Sequence, residues 1–343
     1  MTLSKEYTEE EINDLNQKSL QLQNILLDNS ELNEESTEEI ITILVTTTNE
    51  ERQLIRAEYK KQNNHPIQDD INAKLKENYS NFNDMFINMF DTPYEYDAKE
   101  LYKVLSSKDS NEDTIIEIFS TRSKSYLDIT DIAYKKFFNI SLRDEIKKQF
   151  HKIFADFLLA IMDNERPLEQ TISGDDAYEI ANEIIKNGYK EYCSDVNLFK
   201  KLFIEKSRED LILISRAYYE LEKKNLYDVF EEENIEQKSL FDEKEEEKKV
   251  RNKNIKLIKA ILFGVIAPAQ FFAKKIINAL SGFNPDINTL CRVLINREEI
   301  DMNAIRDYYL KETNCDMVKD IENEYNCKEN PEIASILISI ASQ

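Results

Sequence analysis

The side chains of this chain that could do chemistry are four cysteines, two histidines and a large excess of carboxylates. Cys193, Cys291, Cys315 and Cys327 lack the close paired spacing of a zinc site, and His65 and His151 lie too far apart to complete one. Reduced thiols in a cytosolic protein are the plain reading. No nucleophile–base pair and no glycine-rich loop that would cradle a phosphate occurs, so nothing argues for an enzyme. The 67 acidic residues outnumber the 45 basic ones and leave a formal charge of −22. Such a field repels nucleic acid and anionic lipid head groups, so contact with an anionic surface needs a bridging cation or a local basic patch.

The elements that position these groups are helices. Only four glycines and six prolines occur in 343 residues, far below the usual frequencies of about 7% and 5%. That scarcity favours helices joined by short polar loops. The start, MTLSKEYTEEEIND, is acidic and has no apolar run, so no signal peptide is expected. The most apolar stretch, from Ile258 to Ala273, contains Pro268 and is too short to span a bilayer. It reads as a buried helix, kinked or ended near the proline.

One helical unit recurs four times. With Thr47, Arg122, Lys206 and Arg297 as references, a tyrosine follows twelve residues later: Tyr59, Tyr134, Tyr218 and Tyr309. Twenty residues after each reference stand Ile67, Leu142, Leu226 and Met317, and four further on Ile71, Ile146, Phe230 and Ile321. At seven, four and three residues before the references come Ile40, Ile43 and Leu44; Ile115, Ile118 and Phe119; Phe199, Leu202 and Phe203; Leu290, Val293 and Leu294. These offsets follow the helical period, and self-similarity over such lengths means repeated units sharing a buried face. The references lie 75, 84 and 91 residues apart, room for roughly five helices of about 11–12 residues per unit. The expected organisation is a short tail at 1–10, repeats at 11–92, 93–164 and 165–236, a charged linker at 237–252, and a fourth repeat at 253–343. The linker, a solvated run or helix extension nearly devoid of apolar side chains, is expected to be dispensable for folding.

Local signals refine this frame. Ser36-x-x-Glu39 and Ser110-x-x-Asp113 fit the capping-box pattern, and Ser194 and Asp286 sit at equivalent positions as helix caps. The four tyrosines read as core residues with the hydroxyl reaching a partner at one edge. Arg122 and Arg297 read as interior arginines that hold acidic partners.

The runs YDAKELYKVL and NEDTIIEIFSTRSKSYLDITDIAYKKFF closely resemble the second repeat of annexins, and GFNPDINTLCRVLINREEIDMNAIRDYY resembles the fourth. Unit 3 is similar through DAYEIANEIIKNGYKEYCSDVNLFKKLFIEKS, and unit 1 more weakly through EEIITILVTTTNEERQLIRAEY. The likeness covers almost the whole chain, whose divergence is like that of protist, giardin-like members. It implies an all-α fold, four repeats of about five helices forming a curved disc. It also implies Ca2+ as cofactor, and peripheral binding to anionic phospholipid membranes through calcium in interhelical loops. The family's calcium loop reads G-x-G-T, with an acidic residue about forty positions after the second glycine. Calcium takes six to eight hard oxygen ligands, which loop carbonyls and one bidentate carboxylate supply.

Carried onto this chain, the four sites differ. Unit 1 has Leu32, Asn33, Glu34 and Glu35 in place of G-x-G-T and Lys74 in place of the acid, so its site is expected to be dead. Unit 2 has Ser107, Lys108, Asp109 and Ser110, with Gln149 for the acid, and is expected to be lost or very weak. Unit 3 offers Gly188, Glu191 and Cys193, with Glu233 forty residues after the cysteine. Unit 4 offers Leu280, Gly282 and Asn284, with Glu324 forty residues after the asparagine, and is the best expected site. The rival reading is a calcium-independent scaffold for cytoskeletal or other protein partners.

Overall fold

The computed structural model describes residues 5–75, 80–107, 112–230, 245–282, 285–325 and 331–343. Among them every regular element is helical. Five helices fill the first repeat: Glu9–Leu27, Glu34–Val45, Asn49–Asn63, Ile67–Leu75 and Ser80–Met89. Five more follow in the second: Pro93–Ser106, Glu112–Thr121, Lys124–Phe138, Leu142–Gln149 and Lys152–Asp163. The third is less regular. It runs Gly174–Asn187, a turn at Tyr189–Tyr192, Val196–Phe199 continued by a π-helical segment Lys200–Ile204, then Arg208–Glu222 and Leu226–Val229. A long helix, Glu245–Ile266, precedes the last five: Pro268–Leu280, Ile287–Arg297, Met302–Thr313, Met317–Tyr325 and Pro331–Ser342.

The periodic side chains make the core. All the apolar residues and tyrosines placed by the four-fold offsets are buried, none more than 5% exposed. The Tyr59 hydroxyl donates to Asp70 at 2.6 Å and that of Tyr309 to Asp320 at 2.8 Å. The Tyr134 hydroxyl is buried without a hydrogen-bond partner. Eleven residues after Tyr134 stands Glu145, whose Oε1 is taken at 2.6 Å by the Gln149 amide. Arg122 donates to the buried Asp97 at 2.8 Å, and Arg297 grips Asp301 through two nitrogens at 2.8 and 2.6 Å. Both interior arginines thus hold acidic partners.

The third helix of each repeat ends alike. Asn64, Asn139, Lys223 and Asn314, each seventeen residues after its reference, adopt left-handed φ between 56° and 61°. Each donates its N–H to the carbonyl four residues back, at 2.8–3.0 Å. Asparagine tolerates this conformation best after glycine, so three of the four caps use the expected residue type.

Several expected caps shift by one or a few residues. Asn33 caps Glu34–Val45, and Ser36 closes the box as its third residue instead of opening one with Glu39. Asp195, and not Ser194, caps Val196–Phe199, because its carboxylate accepts from both Asn197 and Leu198. Asp286 caps Ile287–Arg297 as expected. Ser110 lies outside the described residues.

Two compact units form: residues 1–96 with 272–343, and 97–271. In the first, Glu34–Val45 packs on Pro331–Ser342, and the buried Arg52 pairs with Glu298 at 3.1 Å. In the second, Glu245–Ile266 packs on Glu112–Thr121, Lys152–Asp163 and Arg208–Glu222. The expected boundary at 252/253 falls inside that helix, which stops at Ile266, just before Pro268. Proline lacks the N–H that would continue the ladder.

The expectation of a dispensable linker needs correction for 245–252. These residues begin the helix, Val250 and Arg251 are buried, and Lys253 pairs with Glu112. Residues 237–244 lie outside the described residues. Val250→Asp would place an unpaired carboxylate in this packing at a cost of about 2 kcal/mol or more, roughly 5 °C in melting temperature. Calorimetry should register that drop, and an unchanged transition would mean that the face is not packed.

Candidate functional site

The fourth-repeat loop starts where Pro268–Leu280 runs out of helix. A helix end leaves its last carbonyls without intrahelical donors. Here Ser281 N–H and Oγ both reach the Asn278 carbonyl, at 3.2 and 2.8 Å, and Asp286 N–H takes that of Ala279 at 2.8 Å. None of these bonds uses the Leu280 carbonyl. Gly282 follows with φ +103°, backbone that side-chain-bearing residues rarely adopt. Leu280 and Ser281 line a cleft of about 360 Å³ with Tyr309, Asp320, Asn323 and Glu324. The fold therefore brings the loop and the acid forty-odd residues later to one place. The Tyr309 hydroxyl holds Asp320, and Glu324 is half-buried. Asn284 lies outside the described residues. Among the described residues no three His, Cys, Asp or Glu side chains converge on one point. A hard cation in this cleft would rest on backbone carbonyls plus the Glu324 carboxylate, and that donor set suits calcium.

The third-repeat loop is built differently. Gly188 joins two helical segments with φ 75° and ψ 161°, a combination open essentially to glycine alone. Glu191 carries an exposed side chain, but its carbonyl already accepts the N–H groups of Ser194 and Asp195 at 3.1 and 2.9 Å. Cys193 faces inward. It is 1% exposed, its carbonyl accepts the Asn254 amide at 2.7 Å, and burial pushes its thiol up to about 12. Its carbonyl thus already holds one donor, and its thiol packs inward. Glu233 lies outside the described residues.

At the acid position the first two repeats hold Lys74 and Gln149. Lys74 sends its ammonium to the carbonyls of Asp28 and Ser30, at 2.7 and 2.6 Å. Gln149 turns its amide to Glu145 at 2.6 Å. The sequence singled out Lys74 and Gln149, but it gave no signal for Asn254 or for the carbonyls that Lys74 takes.

Glycine tests these loops. A methyl group on Gly174 or Gly188 meets nothing within 4 Å, so only backbone conformation separates the two positions. Gly188→Ala should cost about 1–3 kcal/mol, while Gly174→Ala, at a helix start with ordinary φ, should be nearly neutral. Thermal melts of the two variants make the comparison, and equal stabilities would contradict the loop geometry.

The annexin family model matches residues 33–82, 96–161 and 271–327. Rat (Rattus norvegicus) annexin A1 is 28% identical over 272 residues, covering 79% of this chain and 73% of that protein. Among solved structures, annexin III superposes with a TM-score of 0.81 at 23% identity, over 96% of this chain and 94% of its own. The calcium-bound structure of alpha-14 giardin superposes with a TM-score of 0.69 at 15% identity, over 95% and 99%. Annexins bind Ca2+ and, in general, bind phospholipid in a calcium-dependent way. Among the described residues no helix is long and apolar enough to cross a membrane, and annexins are in general non-enzymatic, peripheral membrane binders. With its four-fold helical pattern, its all-helical fold and these matches, the chain belongs to the annexin family.

Proposed function

We propose that this protein binds anionic phospholipid membranes when calcium is present, mainly through the fourth-repeat loop and secondarily through the third. The observation that carries the reading is the cleft that joins Leu280 and Ser281 to Glu324. Leu280, Gly282 and Asn284 would supply backbone carbonyls and Glu324 the bidentate carboxylate. Bound calcium supplies the positive charge that joins these oxygens to a lipid phosphate. Gly282 gives the loop its sharp turn, and the Tyr309–Asp320 bond fixes the wall beneath. In the third repeat Gly188, Glu191 and Glu233 remain as ligands. That repeat ranks second because Asn254 already occupies the Cys193 carbonyl. With a net charge of −22 the protein stays off anionic membranes until the ion offsets the contact. The reading places it in the cytoplasm and, with calcium, at the membrane surface.

A second reading, a calcium-independent scaffold for cytoskeletal or other proteins, draws on the two repeats whose acid position holds Lys74 or Gln149. Cosedimentation with phosphatidylserine vesicles separates the two. The membrane reading predicts sedimentation in calcium and release by chelator, whereas equal sedimentation in both favours the scaffold.

The carboxylates give the sharper test. Glu324→Gln keeps one oxygen and loses charge and bidentate bite, so the calcium needed for vesicle binding should rise by about an order of magnitude or more. Glu233→Gln should act in the same direction more weakly, and the double variant should bind little lipid. A double variant with the wild-type calcium response would show that the ion sits elsewhere.

A further inference from the structure

In the first repeat, the place that holds an acid in the fourth holds a base. Lys74 precedes Glu324 by 250 residues, the same offset that relates Thr47 to Arg297, and Ser30 precedes Leu280 by the same distance. The Lys74 ammonium donates to the Ser30 carbonyl at 2.6 Å and to the Asp28 carbonyl at 2.7 Å. It therefore touches the very carbonyl that corresponds to a proposed ion ligand in the fourth repeat. The loop is shaped for this. The Asp28 carboxylate accepts Ser30 N–H at 3.2 Å and Ser30 Oγ at 2.6 Å, a turn that fixes the intervening backbone. Those bonds from Ser30, with the Lys74 charge nearby, hold the Asp28 carboxyl below the usual range. Lys74 also lies in the last turn of Ile67–Leu75, where the helix dipole favours a cation.

An ammonium carries three N–H donors. Two are spent on the loop carbonyls, and the described residues present no acceptor for the third. The side chain is half-exposed. A unit positive charge with one outward donor, held rigid by two carbonyls, matches an oxygen of a phosphate.

We propose that Lys74 is a tethered cation. It clasps the Asp28 and Ser30 carbonyls in place of a divalent ion and turns its third N–H to a phosphate oxygen of an anionic lipid head group. The first repeat thereby contacts the membrane without calcium of its own. The proposal rests on the membrane-binding reading, since the fourth-repeat loop must bring the surface near.

The test compares the full chain with Lys74→Gln and Lys74→Arg for affinity to phosphatidylserine vesicles in saturating calcium. One ammonium at an anionic surface accounts for about a five-fold change in affinity, so Lys74→Gln should bind about five-fold more weakly. Lys74→Arg, which keeps charge and donors, should retain most of the affinity. Calcium binding without lipid, followed by calorimetry, should be the same for all three. Equal vesicle affinities of wild type and Lys74→Gln overturn the proposal. Loss of any calcium response by wild type is a separate result, which contradicts the membrane reading itself. Titration of inorganic phosphate into the calcium-free protein separates the two sources of phosphate. No saturable heat is expected, and a saturable heat abolished by Lys74→Gln would replace the lipid head group by free phosphate.

Discussion

An α-helix leaves its last four carbonyls without donors, and a protein of many short helices meets that problem at every turn. Beside the backbone caps, a recurrent answer here is a basic side chain laid across the helix end. Arg52 takes the carbonyls of Leu44, Thr47 and Met89, and Arg143 takes that of Met162. Arg166 spans Phe203 and Lys206, Arg208 spans Val265 and Ile266, and Arg306 reaches Ala341. The partial negative charge of a helix C-terminus favours a cation on these oxygens. Five of the chain's eleven arginines are committed to this task.

The interhelical loops proposed to meet the ion and the membrane are variations on that constraint. At the first repeat the cation is the protein's own Lys74. At the third a neutral amide, that of Asn254, occupies the Cys193 carbonyl. At the fourth, Leu280 and Glu324 line one cleft, with no basic side chain among the cleft residues. A calcium ion between carbonyls and a carboxylate, as proposed, would complete the same electrostatic pattern that the arginines complete elsewhere. The divergence among the repeats is thus a choice of which cation, or which neutral donor, satisfies a helix end.

Much of the fold was legible because burial leaves a periodic trace. The apolar residues three, four and seven positions before each reference are buried together with the tyrosines and the aliphatic pairs that follow. Less was legible where a polar group acts through the backbone. The left-handed caps at Asn64, Asn139 and Asn314 recur at a fixed offset, but Lys223 breaks the residue-type signal in the third repeat. Asn33 and Asp195 displaced the caps expected from serine, because a shift of a few residues along a polar loop changes no apolar pattern. Residues 245–252 read as linker because charge dominates the run, yet one helix face there buries Val250 and the stem of Arg251. Asn254 and Cys193 lie 61 residues apart, and nothing in either segment announces their bond. Of the expected ligands, Leu280 and Glu324 line one cleft, Gly282 follows in the adjoining loop, Cys193 is buried, and Asn284 and Glu233 lie outside the described residues.

The first and fourth repeats, as proposed, carry the same cation position, filled by an ammonium in one and by an ion in the other. Crystals grown in calcium, or with a lanthanide in its place, test this directly through anomalous scattering. A peak is expected within bonding distance of the Leu280 carbonyl and the Glu324 carboxylate, and none between Lys74 and the Ser30 carbonyl. A peak at the first-repeat loop with Lys74 displaced, or none at the fourth under saturating ion, would contradict it.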